Sequence, residues 1–187
     1  MDMEGHLVHE WSRPLRGVWS DPPHLDELPP EQYVIWRRAR PFPNGDILAI
    51  YSSVAVTPGG IGLVKLDKDS EVLWRYPANV HHDFTVAADG SIYTLVHELR
   101  STGRRPVAGM EQLPRIIVEE YLVKLSAGGE ELSRLNLLDL IADSEYRSWL
   151  EACGPREASP VRTSEGTDLL HANTVEIVDR TFAEANS

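Results

Sequence analysis

Cysteine occurs once in the 187 residues, at Cys153, so the chain forms no internal disulfide and no zinc site built of thiolates, and its redox compartment stays open. Long apolar runs are missing as well. No uncharged stretch approaches the roughly 18 residues of a membrane-spanning helix, so no membrane span is expected. Positive charge is scarce: 18 lysines and arginines face 29 aspartates and glutamates, a formal net charge of −11 that argues against a nucleic-acid partner. The opening residues, Met-Asp-Met-Glu-Gly-His, show neither the basic nor the apolar region of a secretory signal, and localisation is left unknown. What is present, 42% hydrophobic and 25% charged residues, is the composition of an ordinary globular domain.

The dominant period is two. Short β-branched and aromatic runs at 47–51, 62–66, 71–76 and 91–96 alternate with turn chemistry at Pro43-Asn44-Gly45-Asp46, Thr57-Pro58-Gly59-Gly60, Asp67-Lys68-Asp69-Ser70 and Asp89-Gly90. Asn-Gly and Asp-Gly supply the positive φ that tight hairpins need. The runs also repeat. Pro-Asn-Gly-Asp-Ile-Leu-Ala-Ile-Tyr at 43–51 returns as Ala-Asp-Gly-Ser-Ile-Tyr-Thr-Leu-Val at 88–96. Leu63-Val64-Lys65-Leu66 with Glu71-Val72-Leu73 returns as Leu122-Val123-Lys124-Leu125 with Glu130-Glu131-Leu132.

A unit of about 45 residues made of four antiparallel strands is the pattern of a β-propeller blade. The fold expected is therefore all-β: a partial propeller of about three four-stranded meanders in a single incomplete domain over 1–187. Insertions are expected at about 100–114 and 137–168. One helix is expected near 137–152, from the stripe Leu137, Leu138, Ile141, Tyr146, Trp149 and Leu150, with Gly154-Pro155 stopping it. Residues 5–11 and 174–178 read as further strands; Arg37, Arg38 and Arg40 could recruit an anion but read in preference as a solvated edge strand. A plain β-sandwich or meander is the competing architecture. Fewer than four blades do not close, which suggests either a fragment of a larger propeller or self-association through open edges.

Seven histidines are candidates for chemistry. His81-His82-Asp83 precedes the strand that leads to Asp89-Gly90, and His171-Ala172-Asn173 holds the equivalent place before the last run. In a propeller the first strand of each blade lines the axis, so these two segments are expected to converge on one concave site. His6, His9, His24 and His97 read as packing or surface residues. Trp11 and Trp74 read as packing between meanders. Two histidines, an aspartate and a distant histidine suit a divalent ion, but no short chelate spacing supports one, and neither a metal nor another cofactor is expected.

The ordered set Asp2-Met3-Glu4-Gly5-His6-Leu7-Val8-His9-Glu10-Trp11, Pro43-Asn44-Gly45-Asp46-Ile47-Leu48, Gly62-Leu63-Val64-Lys65-Leu66-Asp67 with Val72-Leu73-Trp74, His81-His82-Asp83-Phe84 with Asp89-Gly90, and Asp168-Leu169-Leu170-His171-Ala172-Asn173 resembles the arylsulfotransferase (arylsulfate sulfotransferase) family over nearly the whole chain. The resemblance implies a six-bladed β-propeller that moves a sulfuryl group from a phenolic sulfate ester to another phenol by way of a histidine, without a nucleotide donor. It implies pocket roles for His81, His82 and His171, with Asp83 and Asn173 binding substrate. The family's sulfuryl-accepting histidine, and an arginine on the strand after the His-x-Asn element, would lie beyond Ser187, so the 187-residue chain is expected to be inactive. A non-catalytic propeller used as a binding scaffold is the alternative.

Overall fold

Four hairpin turns of one design set the register of the molecule. The computed structural model describes residues 3–56, 59–102, 116–152 and 167–178, and the chain reverses at 42–46, 67–71, 87–91 and 126–130. In each turn the first residue's N–H donates to the carbonyl of the last, and its own carbonyl accepts from the N–H of the fourth, at 2.8–3.1 Å. The fourth residue is left-handed every time: Gly45 at φ 89°, Ser70 at 65°, Gly90 at 84° and Gly129 at 83°. Glycine holds three of these places because a Cβ is disfavoured there.

The turns connect two antiparallel meanders. Strands β1 (Val34–Pro41), β2 (Ile47–Ser53), β3 (Gly60–Leu66) and β4 (Val72–Tyr76) form the first sheet in sequence order. Strands β5 (Val80–Val86), β6 (Ile92–Ser101), β7 (Ile116–Leu125) and β8 (Glu131–Asn136) form the second, to which the two-residue β9 (Thr167–Asp168) adds in parallel beside Ile117 and Val118 of β7. The all-β class and the four-stranded meanders agree with the sequence reading. Among the described residues the sheets are open, and two are formed where about three were expected.

Apolar packing explains why β2 and β3 read as nearly continuous hydrophobic runs: they are covered on both faces. One face meets the second sheet through Leu48, Ile50, Leu63, Val80, Phe84, Val96 and Val123. The other lies under the N-terminal segment, where Leu15 and Val18 of the short helix α1 (Leu15–Val18) and Trp19 pack on Ile47, Ala49 and Tyr51. Trp74 joins the sheets as anticipated, its indole N–H donating to the Ala127 carbonyl at 3.1 Å above the 126–130 turn. A Cβ at Gly129 would stand 2.5 Å from that ring. Trp11 instead packs on the first sheet's own turn, donating to the Gly45 carbonyl at 3.1 Å.

Three local expectations are corrected. The helix near 137–152 is two helices, α2 (Leu137–Ala142) and α3 (Arg147–Ala152). Asn136 caps the first by accepting from the Asp139 N–H at 3.0 Å, and the Ser144 hydroxyl accepts from the Tyr146 N–H at 3.1 Å in the break between them. The predicted stripe splits accordingly: Leu138 and Leu150 are buried, whereas Tyr146 and Trp149 are exposed. Residues 5–11 and 174–178 form no strand; both run as irregular chain without a ladder partner among the described residues. Of the expected insertions, 103–114 and 153–166 lie outside the described residues. Among the described residues no helix is long and apolar enough to cross a membrane.

Candidate functional site

Bulges in the first strands of the meanders build the site. In β1 the ladder register shifts between Trp36 and Arg38, which leaves Arg37 as the extra residue; in β5 it shifts between His81 and Phe84, which frees His82 and Asp83. A bulge bends its strand and re-aims a side chain, a common device beside binding sites. The residue after each bulged position ties the meanders together. Arg38 pairs with Asp83 at 2.6 Å, and the other Asp83 oxygen accepts from the Val175 N–H at 3.1 Å. Three segments far apart in sequence are thereby held around one cleft.

The cleft has a volume of about 400 Å³, lined by Arg37, His81, His82, His97, Asp168 and His171 together with apolar side chains. That lies within the roughly 300–1,000 Å³ of small-molecule sites. The rings of His82 and His171 meet edge to face with centroids 5.2 Å apart. These two histidines also share a backbone conformation: φ is 54° at His82 and 48° at His171. Left-handed non-glycine residues are strained by on the order of 1–3 kcal/mol and concentrate at functional positions. The two segments differ in setting: His82 lies in the bulge of β5, whereas His171 follows β9 and leads into irregular chain.

This strain has a measurable consequence. In an ordinary strand alanine is more stabilising than glycine by about 0.5–1 kcal/mol. At position 82 the order should reverse, with His82→Gly more stable than His82→Ala by about 1 kcal/mol, because both lose the ring but only glycine is at ease at positive φ. Urea unfolding of the two variants is the measurement. Alanine more stable than glycine would mean that the left-handed geometry does not persist in solution.

Each imidazole has a defined partner. Asp168, buried, accepts from the His171 N–H at 2.9 Å and lies 2.5 Å from His171 Nδ1, which orients Nε2 away from the carboxylate. His81 and His82 share a proton between their Nδ1 atoms at 2.7 Å. Burial above all, reinforced by the His97, His82 and His171 rings and by Arg37, pushes His81 down to about 2, so it is neutral at any physiological pH. Burial, then the Arg37 guanidinium, lowers His82 as well.

The structure brings together His81, His82 and His171 of the residues singled out from sequence. Asp83 and Asn173 stand elsewhere. Asp83 is the buried clamp described above rather than part of the cleft lining, and Asn173 is exposed, its amide turned back to the His171 carbonyl at 3.0 Å. His97 is a correction. It was expected on the strand surface but is buried, stacked on His81 with ring centroids 3.3 Å apart and planes 17° apart. Arg37 and Arg38 are exposed edge-strand residues as expected, but Arg37 lines the cleft and Arg38 holds Asp83.

Glu120 was missed altogether. It is fully buried opposite His97 in the β6–β7 ladder, with Oε1 3.0 Å from His97 Nε2, and both its oxygens accept from the Ala172 N–H at 2.7–2.8 Å. The signal was the pair Glu119-Glu120 in the middle of a mostly apolar strand, since carboxylates are rarely buried without a partner. Comparison with protein-family models, with curated proteins and with solved structures finds no match.

Proposed function

We propose that the cleft binds the sulfuryl group of an aryl sulfate ester and that the chain is arylsulfotransferase-like, part of a β-propeller whose parent activity is nucleotide-independent sulfuryl transfer to a phenol. The observation that carries this reading is the meeting of His82 and His171, both left-handed, with Arg37 on the same cleft. Two imidazoles and a guanidinium suit a tetrahedral oxyanion, which wants several donors and a fixed positive charge. The packing of β5 against the first sheet and the Arg38–Asp83–Val175 tie support successive blades around an axis.

The chemistry divides among these residues. Arg37 and the outward nitrogen of His82 bind the sulfuryl oxygens and stabilise charge as it develops there. His171, with Nδ1 held by Asp168, presents Nε2 to carry a proton to the departing phenolate, whose conjugate acid has a pKa of about 10 and gains from protonation at neutral pH. None of these residues is assigned as the nucleophile. The family resemblance assigns that role to another histidine, so binding without turnover is expected.

Calorimetric titration of the purified chain with 4-nitrophenyl sulfate, against 4-nitrophenol as control, tests this. The ester should bind in preference to the phenol, and Arg37→Ala or His171→Ala should weaken it by about 10–100-fold, the loss of one charge-assisted contact. Sustained release of nitrophenolate in the presence of phenol would refute the expected inactivity. Equal affinity for ester and phenol, or none for either, would favour the non-catalytic scaffold.

A further inference from the structure

The buried trio His81, His97 and Glu120, of which the two histidines line the cleft and Glu120 lies behind His97, carries an inference independent of the sulfuryl reading. We propose that it is a divalent transition-metal site of the zinc class, with two imidazole nitrogens and one carboxylate oxygen as protein ligands and the remaining position facing the cleft. Each residue offers one ligand atom, and these atoms lie within 4.8 Å of one another. They come from adjacent strands β5, β6 and β7, a rigid platform of hydrogen-bonded neighbours.

Three observations point to a cation. First, His97 Nε2 and Glu120 Oε1 are 3.0 Å apart. Two ligands at about 2.1 Å from one metal are roughly 3.0–3.5 Å apart, so this pair is already spaced to share an ion. Second, His81 Nε2 is buried without a hydrogen-bond partner among the described residues, although its ring is only 3% exposed. An orphaned buried imidazole nitrogen is costly unless something binds it. Third, Glu120 is a carboxylate at 0% exposure, and no lysine or arginine pairs with it among the described residues. Its charge lacks a permanent counterion.

The surrounding bonds complete the arrangement. A ligating histidine generally donates its other ring N–H to an acceptor. Here His81 Nδ1 meets His82 Nδ1 at 2.7 Å; with the proton on His81, the Nε2 lone pair is free for the metal. The Ala172 N–H holds Glu120 in the same way. On binding, the His97 proton moves from Nε2 to Nδ1 and the His81 ring tilts out of its near-parallel stack, because two stacked rings cannot both point their lone pairs at one ion. Nitrogen and oxygen donors in this number suit zinc and its substitutes better than magnesium or calcium.

Metal-free protein titrated with Co²⁺ as a spectroscopic probe, and with Zn²⁺ in competition, tests the site. One Co²⁺ per chain is expected, with visible ligand-field bands of a four-coordinate ion that Zn²⁺ abolishes. Glu120→Gln should weaken binding at least tenfold. Should that variant fail to fold, His81→Phe keeps the aromatic stack and the volume while removing the ligand, and it should weaken binding similarly. Substituting alanine at both His6 and His9 should leave binding unchanged, which excludes adventitious chelation near the N-terminus. Failure of the wild-type chain to take up stoichiometric Co²⁺, or unchanged binding in folded His81→Phe, overturns the proposal.

Discussion

Phe84→Ala is expected to destabilise the fold by about 3–5 kcal/mol, the range for truncating a buried aromatic. Phe84 is 1% exposed and sits in β5, the strand that lies against the first sheet while pairing within the second. Its ring fills the space among Leu48, Leu63, Val80 and Val96, so its removal leaves a cavity that neither sheet can collapse to close. The Arg38 guanidinium, 5.7 Å from the ring centre, loses its stacking surface as well. Urea unfolding should show the loss as a lower midpoint at unchanged slope. Leu73→Ala, at a half-exposed position of β4, should cost less than about 0.5 kcal/mol and serves as the control. Equal effects of the two variants would mean that the sheets do not share this core.

Arg100→Ala should be comparably damaging, at about 3–5 kcal/mol, through charge rather than volume. Arg100 and Glu119 are both buried and meet at 2.6 Å, with Asp139 at 3.3 Å from the same guanidinium nitrogen. Burial alone would raise the Glu119 carboxyl, but hydrogen bonds from Asn136, Arg100 and Tyr121 outweigh it and hold the group below its ordinary value. The wild-type contribution is therefore present above the unfolded carboxylate pKa, about 4.3, and is lost as pH falls through the lower folded value. Without Arg100 the hydrogen bond and the positive charge that help hold Glu119 low are gone while burial stays, so the folded value rises and the carboxylate's contribution at neutral pH shrinks. The gap between wild type and Arg100→Ala should be largest near pH 7 and narrow below about pH 4.5. Arg100→Met combined with Glu119→Leu should recover most of the loss, since an apolar pair leaves no buried charge. A gap independent of pH would show that packing, not the ion pair, is what Arg100 contributes.

Much of this architecture is legible along the chain because it is local. Glycine at the positive-φ place announces the turns at 42–46, 87–91 and 126–130, the polar run Asp67-Lys68-Asp69-Ser70 announces the fourth, and strand alternation does the rest. The repeat placed His82 and His171 at matching points before any coordinates, and they do lie in ring contact. The helical stretch 137–152 was legible as helical but not as broken, because Ser144 interrupts it through hydrogen bonds to its immediate neighbourhood that a periodic stripe does not record.

His97 and Glu120 show where local reading ends. On β6 and β7 they occupy positions that alternation assigns to a face without saying what covers it, and the cover is the segment around Ala172, more than 50 residues downstream of Glu120. Arg37 could be read as edge-strand charge or as an anion ligand, with the first preferred; a bulge whose register depends on β2 places it on the cleft. Backbone conformation and repeat spacing are properties of short stretches of chain, so residue order suffices for them. Burial of a charge and the company an imidazole keeps depend on which distant surfaces meet, and those were decided by the packing of one meander against the other.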